Sequence, residues 1–251
     1  MKLRIIILSA FLFSAITSFA QFKIPQVLKE AANAIKPGSP SQIEIGDAIK
    51  EALEIGVSAG TDRLSLQNGF LGNSAIKLLF PPEARKVEKA LRGIGMNKAC
   101  DDFILSLNRA AELAAKEAKP IFISAIKEMS VQDASNILLS DQKNAATTYF
   151  QRVTSKALET KFNPIIQSSL DRTQATKYWT DLSTAYNQIP LAGKVNNDLA
   201  AYATQKAMEG LFLEIAKEEL KIRENTELRS SPLLKKVFAY ADKNRNAATT
   251  N

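Results

Sequence analysis

Apolar residues recur three and four positions apart along most of this chain, and that spacing restricts it to helices. Cys100, Phe103, Ile104, Leu107, Ala111, Ala114 and Ala118 form the clearest stripe, whose later alanines let a neighbouring helix come close. Ile45, Ile49, Leu53 and Val57 form another. It follows Ser41 and Glu44, a capping-box spacing, and Gly60 is expected to loosen its end. Residues 75–80 break the pattern. They lie between the turn cluster Gln67-Asn68-Gly69-Phe70-Leu71-Gly72-Asn73 and Pro81-Pro82, where two prolines bar a helix, and read as at most one short extended segment.

Pro82 opens a helix through Val87, Ala90 and Leu91 that stops at Gly93 and Gly95. Pro120 kinks or breaks the Cys100 rod ahead of Phe122, Ile126 and Met129. Ser130 with Asp133 marks an N-cap and Asp141 another, before a long segment with Ala146, Tyr149, Phe150, Val153 and Ala157 that Pro164 interrupts. A helix around Tyr178, Trp179, Leu182 and Tyr186 ends near Pro190, Asn197 or Asp198 caps the next, and Ser231-Pro232 opens the last. The fold class is all-α: a single-domain bundle over residues 43–241 of about seven to nine helices, some kinked at proline. The polar tail at residues 242–251 is expected to fray.

Residues 1–20 read as a secretory signal peptide: Lys2 and Arg4, an apolar run over residues 5–13, then Ser18-Phe19-Ala20, with cleavage before Gln21. Ser9, Ser14, Thr17 and Ser18 interrupt the roughly 20 apolar residues an anchor needs, and no later stretch is apolar enough to span a bilayer. Gln21 stands where a lipoprotein would carry its cysteine. Residues 21–42, with Pro25, Pro37 and Pro40, read as a linker. The expected location is the periplasm, with secretion as the alternative.

Cys100 is the one cysteine, so the chain has no internal disulfide, and it reads as a buried small hydrophobe. Without Lys2 and Arg4 the chain carries 31 basic against 26 acidic residues, a net charge of +5. Acids and bases alternate at residues 217–221, as on a solvated helix face. This pattern argues against a nucleic-acid partner and leaves a mild attraction to anionic surfaces.

Histidine is absent, which removes triads with a His base, the usual zinc sites and His-containing di-iron bundles. No phosphate-cradling glycine run or EF-hand calcium loop is present; carboxylate-only magnesium or calcium sites remain open. No catalytic residue, metal ligand or cofactor is assigned. Two polar groups interrupt apolar surroundings: Asn108, Arg109 and Glu112, and Glu218, Glu219 and Arg223. One reading is ion pairs that fix helix register. The other is a polar pocket between helices for a small ligand. Tyr149, Trp179, Tyr202 and Phe212 fall on apolar faces and read as core.

Ordered blocks give a further reading. Asn108-Arg109-Ala110-Ala111-Glu112, Ala118-Lys119-Pro120-Ile121-Phe122, Met129-Ser130-Val131-Gln132-Asp133-Ala134 and Ala145-Ala146-Thr147-Thr148-Tyr149-Phe150 are followed by Asp198-Leu199 with Tyr202, Gly210-Leu211-Phe212, Glu218-Glu219 with Ile222-Arg223, and residues 233–238. In order and spacing these resemble the bacterial domain of unknown function 4197 family, over roughly residues 43–238. The resemblance implies an exported helical envelope protein with no activity to carry over. Relatives with a lipid-modified cysteine are similar too, and this chain lacks that residue.

The function expected is that of a non-enzymatic envelope scaffold, or a module binding a small ligand or an envelope protein. The alternative is a carboxylate-dependent hydrolase or other metal-independent periplasmic enzyme.

Overall fold

The computed structural model describes residues 39–187 and 198–248. Among them are α1 (Gln42–Ser65), a 3-10 turn (Pro82–Ala84), α2 (Arg85–Gly93), α3 (Asn97–Ala115), α4 (Ala118–Glu128) and α5 (Val131–Leu139). Then come α6 (Ala145–Arg172), α7 (Ala175–Asn187), α8 (Leu199–Glu224), a second 3-10 turn (Thr226–Leu228) and α9 (Pro232–Ala248). No strand occurs among the described residues, and the domain is all-α. The proposed signal peptide, most of the linker, Pro190 and Asn197 lie outside the described residues.

The caps form where the hydroxyls and carboxylates stand. Ser41 N–H donates to Glu44 Oε2 at 2.8 Å and Glu44 N–H to Ser41 Oγ at 3.2 Å, so both arms of the capping box close. Ser130 accepts from Asp133 N–H, Asp198 from Ala201 N–H and Ser231 from Leu234 N–H.

Four expectations shift. Gly60 does not end α1; it lies mid-helix, and with Gly56 gives α8 room to approach. Cβ atoms there would meet Ile215 Cδ1 at 3.1 Å and Glu218 Cβ at 3.5 Å. Pro164 does not interrupt α6, which runs on through Arg172; Phe162 and Ile166, both fully buried, anchor the helix on either side. Asp141 does not cap α6, which starts at Ala145 with no side chain of its own first turn as cap. The last helix continues to Ala248 instead of stopping at 241. Pro120, by contrast, sits in the first turn of α4, so the Cys100 rod breaks into α3 and α4.

The long helices α6 and α8 pack on each other and on α3, while α1 is covered by α8, α5, α4 and α9. Phe122, Phe150 and Phe212 meet edge to face, with centroids 5.0 and 6.1 Å apart. Phe103 lies between Phe80 at 4.4 Å and Trp179 at 5.9 Å. Of the aromatics expected in the core, Trp179 and Phe212 are buried, while Tyr149 and Tyr202 are partly covered. Cys100 is buried, and burial raises its thiol pKa above the ordinary value.

Residues 76–80 keep the alternation of a strand without a partner strand. Ile76, Leu78 and Phe80 are buried, whereas Leu79 faces out.

Candidate functional site

The first polar group holds a segment of the chain itself. Asn108, on the inward face of α3, accepts from Leu78 N–H at 2.9 Å and donates through Nδ2 to Leu78 O at 2.8 Å and Ile104 O at 2.7 Å. A buried amide thus does for Leu78 what a neighbouring strand would do. One turn on, Glu112 Oε1 accepts from Phe70 N–H and Leu71 N–H, both at 3.2 Å, and Oε2 from Arg109 Nη1 at 2.5 Å. Arg109 also donates to Asn68 Oδ1 at 2.9 Å. These three residues fix the loop that carries Phe70, Ile76 and Leu78 into the core.

The loop is also shaped by α8. A Cβ at Gly210 would lie 2.8 Å from the Phe70 ring and 3.1 Å from Ile76 Cβ, so the loop can seat there only against a glycine.

The second group ties helix ends together. The first N–H groups of a helix have no intrahelical partner, and in α6 two of them are served from another helix. Glu219 accepts from Ala146 N–H, Thr147 N–H and Thr147 Oγ1, each at 2.9 Å. Arg223, one turn along α8, bonds Glu219 Oε1 through Nε at 3.0 Å and Nη2 at 2.9 Å, and Nη2 reaches Ile137 O at 2.8 Å near the end of α5. Both side chains are buried. The carboxylate meets the positive end of α6 and the guanidinium the negative end of α5, the favourable sense for both dipoles.

Glu218 faces another way. Arg63, near the end of α1, donates to Glu218 Oε1 at 2.7 Å and to Glu214 Oε1, while Lys221 reaches Glu218 at 2.7 Å. Burial would raise the Glu218 pKa, but the bonds from Lys221 and Arg63 outweigh it and hold the carboxyl below its ordinary value. Arg63 is raised, chiefly by its bond to Glu218. The solvated face expected at residues 217–221 is therefore partly wrong: Glu218 and Glu219 are buried, Glu218 because Gly56 and Gly60 bring α1 close to it, Glu219 because it meets the start of α6.

The six candidate residues divide among these places, and among the described residues no hydrogen bond or ion pair joins Asn108, Arg109 and Glu112 to Glu218, Glu219 and Arg223. Arg229 escaped sequence reasoning altogether. It is 3% exposed, donates to Arg223 O at 2.8 Å, pairs with Asp242 at 2.7 Å, and lies 5.0 Å over the Phe238 ring. It closes the end of α8 against α9. Arg63 and Glu214 were missed for the reason Glu218 was misread: acids and bases one turn apart look the same on a buried face. The spacing of Gly56 and Gly60 was the available signal.

Beside Glu219 and Arg223 lies a space of about 30 Å³ lined mainly by Leu53, Val57, Phe150, Ile215 and Phe238. That is far below the roughly 300–1,000 Å³ usual for binding pockets. The larger hollows are open surface grooves, such as one of about 740 Å³ between α6 and α8 that includes Thr204 and Met208. Among the described residues no group of three acids and cysteines could hold a metal ion, and no helix is long and apolar enough to cross a membrane.

These features define an all-α domain whose helix ends and one long loop are fastened by buried amide, carboxylate and guanidinium groups. The chain belongs to the family described as protein of unknown function (DUF4197), whose model matches residues 39–239. No curated protein and no solved structure matches it.

Proposed function

We propose that the protein is an exported, periplasmic helical scaffold that holds an envelope partner or small ligand on its surface without turning it over. The observation that carries this reading is the engagement of the candidate polar groups. Asn108, Glu112 and Glu219 have their donors and acceptors taken by the chain's own backbone and by Arg109, Thr147 and Arg223, and Arg223 is held through Nε and Nη2 by Glu219 and Ile137 O. A general acid or base must reach a substrate proton, and these groups face loop and helix ends instead. Glu218 is held ionised by Arg63 and Lys221, which suits a structural anion better than a general acid. Export is supported by the basic, apolar and small-residue order of residues 1–20.

Fractionation and affinity capture test the reading together. The product should be recovered from the periplasmic fraction beginning at Gln21, and should retain a defined envelope partner. Recovery in the cytosol with Met1 in place would overturn export. Turnover lost in Glu112→Gln or Glu218→Gln at unchanged thermal stability would overturn the non-enzymatic role.

A further inference from the structure

The tip between α2 and α3 is exposed throughout residues 93–99. No residue of α2 is buried, and a Cβ added at Gly93 or Gly95 would meet nothing within 4 Å. Gly95, at φ +88°, turns the chain back at the tip. There Ile94 is 75% exposed and Met96 44%.

The short helix behind this tip has two faces. Leu91 packs on the core, and Arg92 bonds Glu88 at 3.0 Å and Asp101 at 2.9 Å. On the other face Lys86 and Lys89 are exposed. Lys86, Lys89 and Gly93, spaced three and four apart, carry that face to the tip. From residue 85 to residue 98 the chain holds five basic residues and one acid. Arg92 and Lys98 are matched by acids, Lys98 by Asp102 at 2.6 Å. Among the described residues Lys86 and Lys89 make no ion pair, so their uncompensated charge lies on the face that leads to the apolar tip.

We infer that this tip docks on the surface of an anionic phospholipid bilayer. Ile94 and Met96 enter the boundary between headgroups and acyl chains, and Lys86 and Lys89 meet lipid phosphates. The combination argues for a bilayer: a basic face alone would suit any polyanion, but a soluble polyanion offers no apolar medium for an isoleucine and a methionine. Interfacial segments of this kind pair a cationic face with a few apolar side chains and need no spanning helix. None of the buried polar groups takes part in this contact.

Cosedimentation of the purified protein with vesicles tests it. Binding is expected to vesicles containing phosphatidylglycerol and not to phosphatidylcholine alone, and should weaken as salt screens the charges. Lys86→Gln and Lys89→Gln should each weaken it about fivefold, and Ile94→Ser about tenfold, with the thermal transition unchanged because these side chains touch little else. Three results would each overturn the inference: no binding to phosphatidylglycerol vesicles, equal binding to phosphatidylcholine alone, or undiminished binding by Ile94→Ser/Met96→Ser. The last would mark a contact made by charge alone, as with a nucleic acid.

Discussion

Replacing Glu219 by alanine removes one carboxylate that serves two roles. It leaves the amides of Ala146 and Thr147 and the Thr147 hydroxyl without acceptors, and strands the Arg223 guanidinium, 7% exposed, without a counter-charge. Removing one partner of a buried pair costs about 3–5 kcal/mol. The loss of a helix cap, about 1 kcal/mol, falls within that figure because the same two oxygens do both jobs. In a domain of this size each kcal/mol lowers the transition by about 2–4 °C, so Glu219→Ala should melt roughly 6–20 °C below the parent. Calorimetry or circular dichroism of both proteins reads this directly. Glu224→Ala is the control, since that acid meets only Lys143 and both are more than half exposed; its loss should stay within about 0.5 kcal/mol. In Glu219→Met/Arg223→Met the stranded charge is gone, so the double variant should lose less than the two single losses added. A shift no larger than the control's would refute the reasoning.

Gly210→Ala gains helix propensity of about 1 kcal/mol, but its methyl would press on the Phe70 ring and Ile76, at a strain of about 1–3 kcal/mol; the net expectation is a lower melting temperature. Tyr202 donates to Leu79 O at 3.1 Å, and burial, followed by Glu83, pushes its pKa up to about 12. Its neutral form is favoured in the folded chain, so its contribution is complete below pH 10 and is lost as pH rises towards about 12. Titration should show the Tyr202 tyrosinate appearing late, and Tyr202→Phe should be less sensitive than the parent across that interval. Glu218 behaves in the opposite sense. Its lowered pKa gives stability that is present above the ordinary carboxyl range and lost as pH falls through the folded value, so the gap in melting temperature between parent and Glu218→Gln should narrow in acid.

The helices were legible because the apolar stripes on α1 and α3 repeat with the helical period, and because Ser41, Ser130, Asp198 and Ser231 stand at helix starts. The partners of the polar groups were not. Nothing around Glu219 states that its carboxylate accepts from donors at a helix N-terminus 72 and 73 residues away in sequence. The same holds for Asn108, whose partner Leu78 lies in a stretch without regular structure. Asp141 looked like the cap of α6 because local reading offers only local caps. Tertiary fastening of this kind depends on which faces meet, and at α1 and α8 that is decided by the space left at Gly56 and Gly60.

The account rests on buried side chains closing off main-chain groups that lack main-chain partners. Native-state hydrogen exchange, followed residue by residue, tests this most directly at Leu78, Ala146 and Thr147. Leu78 is outside any helix, and the other two begin one, so slow exchange there must come from Asn108 and Glu219. Protection comparable to helix interiors, lost at Ala146 and Thr147 in Glu219→Ala and kept at Leu78, is the predicted result. Exchange at free-chain rates in the unaltered protein would contradict the account.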